Sequence, residues 1–349
     1  MSLPATELSA SRPTPPAVAP RRDPWMERFR QMLDQIDDAL YLAGIWTVII
    51  PASYVLPVHW VRALGRWLGT AMMLAPRARH LRRDLAHAFQ LSQRDAIRAM
   101  RRDRLRMFTD FVSVRWLRQG KTDIEQWEVT EYNAAAVETM RRSGQSYLIA
   151  TGHFSREATA TIHARKISPH HLSLILATLP ARSFRPSLLR LRTQLSEILG
   201  ALRRMRPDDM DQVYVGAASS HLVAAIHRAR KPGSTIIITA DTPWYHEGSY
   251  ARPFAGHAML PLSTATAKLA RLAQIPIVTC VPVLLGPRRI AIHWSNPILP
   301  PPRRDDQADQ RIMDEVIDFL EKAIGDRPEQ YSLPIGGKRR WNRANRSWE

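Results

Sequence analysis

The sequence predicts an α/β fold in which a mixed, mostly parallel sheet is flanked by helices and preceded by an apolar helical segment. Short continuous apolar runs alternate with helical stretches after about residue 125. Such runs are typical of strands covered on both faces, and their alternation with helices is typical of a sheet with crossover connections. Before residue 120 the apolar residues recur instead at spacings of three and four, which indicates amphipathic helices.

Five apolar runs are candidate strands, and helical periodicity marks the stretches between them. The predicted strands are 146–150, 172–177, 235–239, 277–285 and 290–294. The predicted helices are 158–164, 188–202, 222–229, 264–273 and 310–324. We therefore expect a proline-rich disordered tail at 1–24, membrane-associated and basic amphipathic helices at 25–120, an α/β domain at 121–343 and a short tail at 344–349.

Residues 39–61 contain no Asp, Glu, Lys or Arg. A helix of about 20 apolar residues is long enough to cross a bilayer. Pro51 and Pro57 argue against one straight helix because each lacks a backbone donor, and Trp46 and Trp60 suit the headgroup boundary. Three interpretations remain open: a spanning helix, an interfacial helical hairpin, or a buried core helix.

The charge of the chain restricts its partners more than its fold. There are 50 Lys plus Arg against 32 Asp plus Glu, a net charge of +18, so anionic lipid, acidic proteins and nucleic acid are candidate partners. No glycine-arginine repeat, zinc spacing or aromatic-basic signature accompanies the cations, so we expect no nucleic-acid binding. The single cysteine, Cys280, excludes an internal disulfide framework and a multi-cysteine metal site. We expect no metal and no cofactor.

His153 is the first candidate for chemistry. It follows the predicted strand 146–150 and precedes a helical run, which is where α/β folds place ligands. An imidazole can take a proton from a substrate hydroxyl when its other ring nitrogen is held by a partner. Glu157, four residues further on, is a candidate for that partner. The alternative is a surface histidine followed by a solvated glutamate.

Residues 151–160, TGHFSREATA, resemble the catalytic signature of the lysophospholipid acyltransferase superfamily. More narrowly, they resemble the bacterial lipid A late acyltransferases, which transfer lauroyl or myristoyl groups. Further segments resemble that family in the same order along the chain: 56–69, 77–89, 239–243, 251–278 and 328–343. The resemblance implies a glycerolipid acyltransferase-like fold for the domain at 121–343.

The resemblance also implies a mechanism and a location. His153 would deprotonate a hydroxyl of a lipid A precursor or related glycolipid, and Glu157 would orient the ring. The acyl donor would be an acyl carrier protein thioester or acyl-CoA. Basic faces would steer acidic carriers and anionic headgroups, which places the enzyme on the cytoplasmic face of the inner membrane.

Five residues are candidates for substrate binding. Asp241, at the end of another predicted strand, would lie near the headgroup or support the site; its alternative is a turn or helix-cap aspartate. Arg252 could bind a phosphate or carboxylate through two parallel hydrogen bonds, or be a solvated loop arginine. Arg185 and Arg190 lie on the predicted substrate-side segment, and Gly256 belongs to the element that resembles the family's Phe-Gly motif.

The chain departs from the family pattern at the acid. The family places four residues between the histidine and the acid, whereas three separate His153 from Glu157 and the usual position is Ala158. On a regular helix, one residue corresponds to about 100° of rotation. Two alternatives follow: the same fold acylating an amine lipid or a secondary-metabolite hydroxyl, or a decayed, non-catalytic membrane-associated binding protein.

Overall fold

The computed structural model describes most of the 349-residue chain. The described residues are 24–75, 78, 82–83, 86, 91–121, 127–154, 171–177, 186–205, 210–215, 219–241, 249–254, 258–286, 288–326, 330–331, 341–342 and 347–348. The predicted tail up to residue 23 and the predicted helix 158–164 lie outside them.

A seven-stranded sheet forms the centre of the α/β part, with the strand order β1-β9-β8-β2-β5-β3-β4. Its strands are β1 (Glu128–Tyr132), β2 (Tyr147–Thr151), β3 (His171–Ala177), β4 (Met210–Val215), β5 (Ser234–Thr239), β8 (Ile277–Gly286) and β9 (Arg289–Trp294). Neighbours pair in parallel except for β8 and β9, which are antiparallel. The predicted mixed, mostly parallel sheet is confirmed.

A second, smaller sheet has the strand order β10-β11-β7-β6. It consists of β6 (Ser249–Phe254), β7 (Ala258–Ser263), β10 (Trp341–Asn342) and β11 (Ser347–Trp348). Ser347 pairs with Met259 of β7. The range 344–349, predicted as a tail, therefore contributes a short strand to this sheet.

Nine helices frame the sheets in the described residues. They are α1 (Pro24–Ala43), α2 (Ile50–Val55), α3 (Val58–Ala71), α4 (Gln93–Gln119), α5 (Ala135–Arg142), α6 (Pro186–Met205), α7 (Ser219–Ala229), α8 (Ala265–Ala273) and α9 (Asp306–Asp326). A π-helical turn (Gly44–Ile49) joins α1 to α2, and a 3₁₀ turn (Met72–Leu74) follows α3. The four predicted helices that fall on described residues are confirmed.

The large sheet is covered on both faces at β2, whose successive side chains point to opposite sides. Leu148 and Ala150 of β2 pack in the cluster that includes α8 and α9. Tyr147 and Ile149 pack on the other face, in the cluster that includes α5. This explains why β2 is a continuous apolar run with no polar alternation.

The N-terminal helices α1–α4 form a bundle that packs on α6. Their core contains Tyr41, Ile45 and Phe108, and the Tyr41 and Phe108 rings are 5.0 Å apart. The π-helical turn lies just before Pro51, whose ring and missing N–H cannot be accommodated by a regular α-helical turn. Helix α2 ends at Val55 because the backbone of Leu56 is extended, and α3 starts as a new helix at Val58.

Candidate active site

Two neighbouring strands end at the same edge of the large sheet with the same pattern of residues. Thr151 at the end of β2 is paired in parallel with Thr239 at the end of β5. Each threonine is followed by one small residue and then by a polar one, His153 after β2 and Asp241 after β5. Because the register aligns equivalent positions of the two strands, these two side chains emerge next to each other.

The Asp241 carboxylate holds both the ring and the backbone of His153. Nδ1 of the ring lies 2.7 Å from Oδ1 of Asp241, and the backbone N–H of His153 donates to Oδ2 at 2.8 Å. Asp241 has a fully buried side chain, whereas 37% of the His153 side chain is exposed. The carboxylate therefore lies behind an imidazole that can be reached from outside.

Gly152 permits this close approach. A Cβ atom at this position would lie 3.0 Å from Cε2 of Phe154 and 3.2 Å from Oδ2 of Asp241. Contacts of about this length are tight for a side chain, so a larger residue would push the carboxylate or the aromatic ring away. The glycine of the Thr-Gly-His sequence is thus explained by packing rather than by its backbone freedom.

Tyr331 supplies a further donor to the same carboxylate. Its hydroxyl donates to Oδ2 of Asp241 at 2.5 Å, and its ring packs edge-on against Phe154 at 5.3 Å. Burial and the neighbouring carboxylate of Asp241 raise the pKa of Tyr331 well above its ordinary value, so the hydroxyl remains a donor. Tyr331 was not predicted as a site residue, although it is the aromatic residue of the Pro-Glu-Gln-Tyr sequence that opens the segment 328–343 of the family resemblance.

Asp241 remains an anion despite its burial. Burial alone would raise the pKa of its carboxyl, but the charge and hydrogen bonds of His153, with the hydroxyl of Tyr331, outweigh it and hold that pKa below its ordinary value. An anionic acceptor against Nδ1 is what an imidazole base requires for orientation. Of the two roles predicted for Asp241, this geometry favours support of the site over contact with a headgroup.

Three predicted site residues, Glu157, Arg185 and Gly256, lie outside the described residues. Their roles therefore remain predictions from the sequence. Among the described residues, the structure brings together two predicted site residues, His153 and Asp241, which the sequence analysis had not paired with each other.

Arg252 is engaged by carboxylates of its own chain. From β6 its guanidinium donates to Asp318 at 2.7 Å and to Glu321 at 2.8 Å, and it reaches both the backbone and the carboxylate of Asp314 on the same helix, α9. Its side chain is only 14% exposed. The structure thus gives Arg252 a role in joining the small sheet to α9.

Arg190, which was predicted to lie on the substrate-side segment, is on α6 and faces the helical bundle. It donates to Oδ1 of Asp38 at 2.8 Å, and its guanidinium lies 4.3 Å from the centre of the Tyr41 ring. These contacts join α6 to α1. The carboxylates of the first helix therefore pair with arginines in the core of the bundle, as Asp37 does with Arg104 at 3.1 Å.

A second surface feature is the apolar outer face of α1–α3. Most of the exposed large hydrophobic side chains in the described part of the chain lie between residues 25 and 74. They are Trp25, Phe29, Met32, Ile36, Leu40, Trp46, Tyr54, Val55, Leu56, Trp60, Trp67 and Leu74. The helical stretch Met32–Val55 is long and apolar enough to cross a bilayer, and 44% of its most apolar window is buried against the protein. Exposed apolar surface of this extent is typical of a binding face.

An imidazole held by a buried carboxylate is an arrangement that can orient a general base. Residues 201–341 match the family described as bacterial lipid A biosynthesis acyltransferase. The match confirms the resemblance predicted from the sequence and supports acyl transfer to a lipid. It includes Asp241, Arg252 and Tyr331, while His153 precedes it.

No curated protein sequence matches the chain. Among solved structures, one match is the 1-acyl-sn-glycerophosphate (LPA) acyltransferase, PlsC, from Thermotoga maritima, with 9% sequence identity and a TM-score of 0.35. The alignment covers 86% of this chain and 99% of that chain. Similarity at this level carries no argument about the site.

Proposed function

We propose that the chain transfers a fatty acyl group from an acyl thioester to a hydroxyl of a lipid A precursor or a related glycolipid, with His153 as general base. The observation that carries this proposal is the contact between Nδ1 of His153 and the buried Asp241 carboxylate. The family match supports the acceptor class, because its description names lipid A biosynthesis.

The contact determines which ring nitrogen does the chemistry. An ionised carboxylate only accepts hydrogen bonds, so the neutral ring carries its proton on Nδ1 and its lone pair on Nε2. Nε2 can then take the proton of an acceptor hydroxyl. The resulting imidazolium is stabilised by Asp241, which keeps its negative charge.

The transfer is direct and requires no acyl-enzyme intermediate. The acceptor oxygen forms a bond to the thioester carbonyl carbon as its proton moves to Nε2 of His153. The C–S bond then breaks, and the imidazolium returns the proton to the departing sulfur. The products are an ester of the lipid and the free thiol of the carrier.

The donor in this proposal is an acyl carrier protein or acyl-CoA, both of which are anionic. The net charge of +18 favours encounter with either one, and with the anionic headgroups of the cytoplasmic leaflet. The enzyme would accordingly work on the cytoplasmic face of the inner membrane. Raising the salt concentration should weaken the encounter because exposed charges are screened.

The helical bundle supports an interfacial hairpin among the three interpretations of residues 39–61. One face of the stretch Met32–Val55 is tied to the protein through the ion pair of Asp37 with Arg104, and Ser53 accepts from Arg115 at 2.8 Å. Both arginines belong to α4, whose sequence is rich in arginine and unsuited to hydrocarbon. The outer apolar face would therefore lie in one leaflet, alongside the rest of the protein.

Substitution of the base tests the proposal. His153→Ala should reduce transfer from acyl carrier protein and coenzyme A donors by about 10²–10⁴-fold, the usual contribution of a general base. His227→Ala is the matched control, because His227 is an exposed histidine on α7. Detergent-solubilised protein is incubated with a panel of donors and lipid acceptors, and products are identified by mass spectrometry. Undiminished transfer by His153→Ala would remove His153 from the mechanism.

A different acceptor is the second candidate, and the shifted position of Glu157 favours it. If the acceptor were an amine lipid or a secondary-metabolite hydroxyl, the panel would yield an amide or a non-glycolipid ester. Lipid analysis of a deletion strain separates the two. Unchanged lipid A acylation with loss of another acylated product would assign the second acceptor.

A further inference from the structure

We propose that Tyr331 is a positioning residue that fixes the Asp241 carboxylate and, through it, the catalytic ring of His153. The inference rests on the proposed function of His153 as the base. The Tyr331 hydroxyl donates to the Asp241 carboxylate, and that carboxylate in turn faces Nδ1 of the ring. Its contribution to the reaction would therefore be indirect.

The two oxygens of the Asp241 carboxylate have different hydrogen-bond partners. Oδ2 of Asp241 accepts from the backbone of His153 and from the hydroxyl of Tyr331, while Oδ1 faces Nδ1 of the ring. A carboxylate can rotate about its last side-chain bond, because that torsion has only broad minima. Two donors converging on Oδ2 oppose this rotation and keep Oδ1 directed at Nδ1.

Tyr331 can act as an anchor because the residue before it is itself fixed. The side-chain amide of Gln330 forms two hydrogen bonds with the backbone of Leu284 on β8, each 2.7 Å long. Arg106 of α4 donates to the backbone carbonyl of Gln330. The chain next to Tyr331 is thus held by the sheet through the Gln330 side chain and by the helical bundle through the Gln330 carbonyl.

The hydroxyl and the ring of Tyr331 have separable functions. The ring packs on Phe154, which is buried next to the site. Tyr331→Phe retains that packing and removes only the donor, so it leaves the fold with its aromatic contact. Tyr250→Phe is the matched control, because the Tyr250 hydroxyl also contacts an aspartate, Asp314, at 3.3 Å on a different part of the molecule.

A double-mutant cycle on transfer distinguishes positioning from simple support of the fold. Tyr331→Phe should lower kcat about tenfold with little change in KM, since one hydrogen bond to a charged group is lost. In an Asp241→Asn background the same change should have little further effect. If the losses in kcat of the two substitutions multiply in the double variant, as expected for two independent defects, the proposal would be overturned. Tyr250→Phe should leave kcat unchanged in both backgrounds.

A spectroscopic measurement tests the inference even if the enzyme transfers no acyl group to any acceptor offered. In protein labelled with ¹⁵N-histidine, the Nδ1 proton of His153 should give a downfield resonance that is absent from His153→Ala. Tyr331→Phe should broaden or abolish this resonance through faster exchange with water, and Tyr250→Phe should leave it sharp. A resonance that is unchanged in Tyr331→Phe would overturn the positioning role, whereas absence of transfer with the expected spectra would overturn only the proposed function.

Discussion

His153 and Asp241 are 88 residues apart in the sequence and meet at the ends of adjacent strands. The sequence predicted His153 as a base and Asp241 as a strand-end carboxylate, but it assigned the orienting role to Glu157. The pairing of β2 with β5 decides which carboxylate lies behind the ring, and strand order is not encoded in local spacing. The repeated pattern of threonine, a small residue and a polar residue at positions 151–153 and 239–241 was the available signal.

Removal of the Asp241 charge should impair His153 as a base, while the asparagine still fills the space of the aspartate. Asp241→Asn is expected to lower kcat by about 10²–10⁴-fold, because the imidazolium formed during transfer loses its anionic partner. Transfer assays with the acyl donor panel measure this. Asp318→Asn, which alters an exposed carboxylate near Arg252, is the control. A loss below about tenfold would point to another orienting group, with Glu157 first.

The lowered pKa of the Asp241 carboxyl also predicts how stability depends on pH. A carboxyl whose pKa is lower in the folded protein contributes stability above its unfolded pKa, which is about 3.9, and loses it as the pH falls through the folded value. The difference in free energy of unfolding between the wild type and Asp241→Asn should therefore narrow as the pH falls below about 4. Urea unfolding across this range measures it; a constant difference would indicate a packing defect alone.

At the scale of elements, the apolar runs predicted the central strands and their crossover helices, whereas strands with polar residues escaped detection. β1 has the sequence EVTEY, and its side chains are exposed or half-buried. It lies at the edge of the sheet, where burial does not demand an apolar run. The antiparallel placement of β9 next to β8 likewise follows from a tight connection that composition alone does not reveal.

Alanine substitutions at two glycines of α3 can test how closely this helix packs on α4. A Cβ at Gly69 would lie 2.5 Å from the backbone carbonyl of Arg104, whereas a Cβ at Gly65 would lie 3.4 Å from Phe108, an ordinary contact distance. Gly69→Ala should destabilise the protein by about 1–3 kcal/mol, the usual cost of overpacking. Gly65→Ala should be neutral or slightly stabilising, because alanine favours helix by about 1 kcal/mol. Thermal unfolding in detergent compares the two, and equal melting temperatures would contradict the packing described here.

At the scale of the whole molecule, α4 and α6 connect the helices that carry the apolar outer face to the α/β part that carries His153. Arg115 of α4 pairs with Glu197 of α6 at 2.8 Å, and both side chains are buried. The sequence located the apolar segment but left its disposition open. The buried contacts along its inner face, which only the folded bundle shows, favour an interfacial hairpin.

Cysteine labelling separates this disposition from a spanning helix. Arg28→Cys and Arg66→Cys place thiols at exposed positions on either side of the apolar segment, and the native Cys280 is buried. An interfacial hairpin leaves both positions on the same side of the bilayer, so an impermeant maleimide should label both in inside-out vesicles and neither in right-side-out vesicles. Labelling of one position from each side would establish that the segment crosses the membrane.

The contact between Tyr331 and Asp241 joins residues 90 positions apart. During translation the apolar helices α1–α3 are synthesised before His153, and Tyr331, which donates to the Asp241 carboxylate, is synthesised after both. A nascent chain therefore exposes its apolar helices before the hydrogen bonds of Asp241 can be complete.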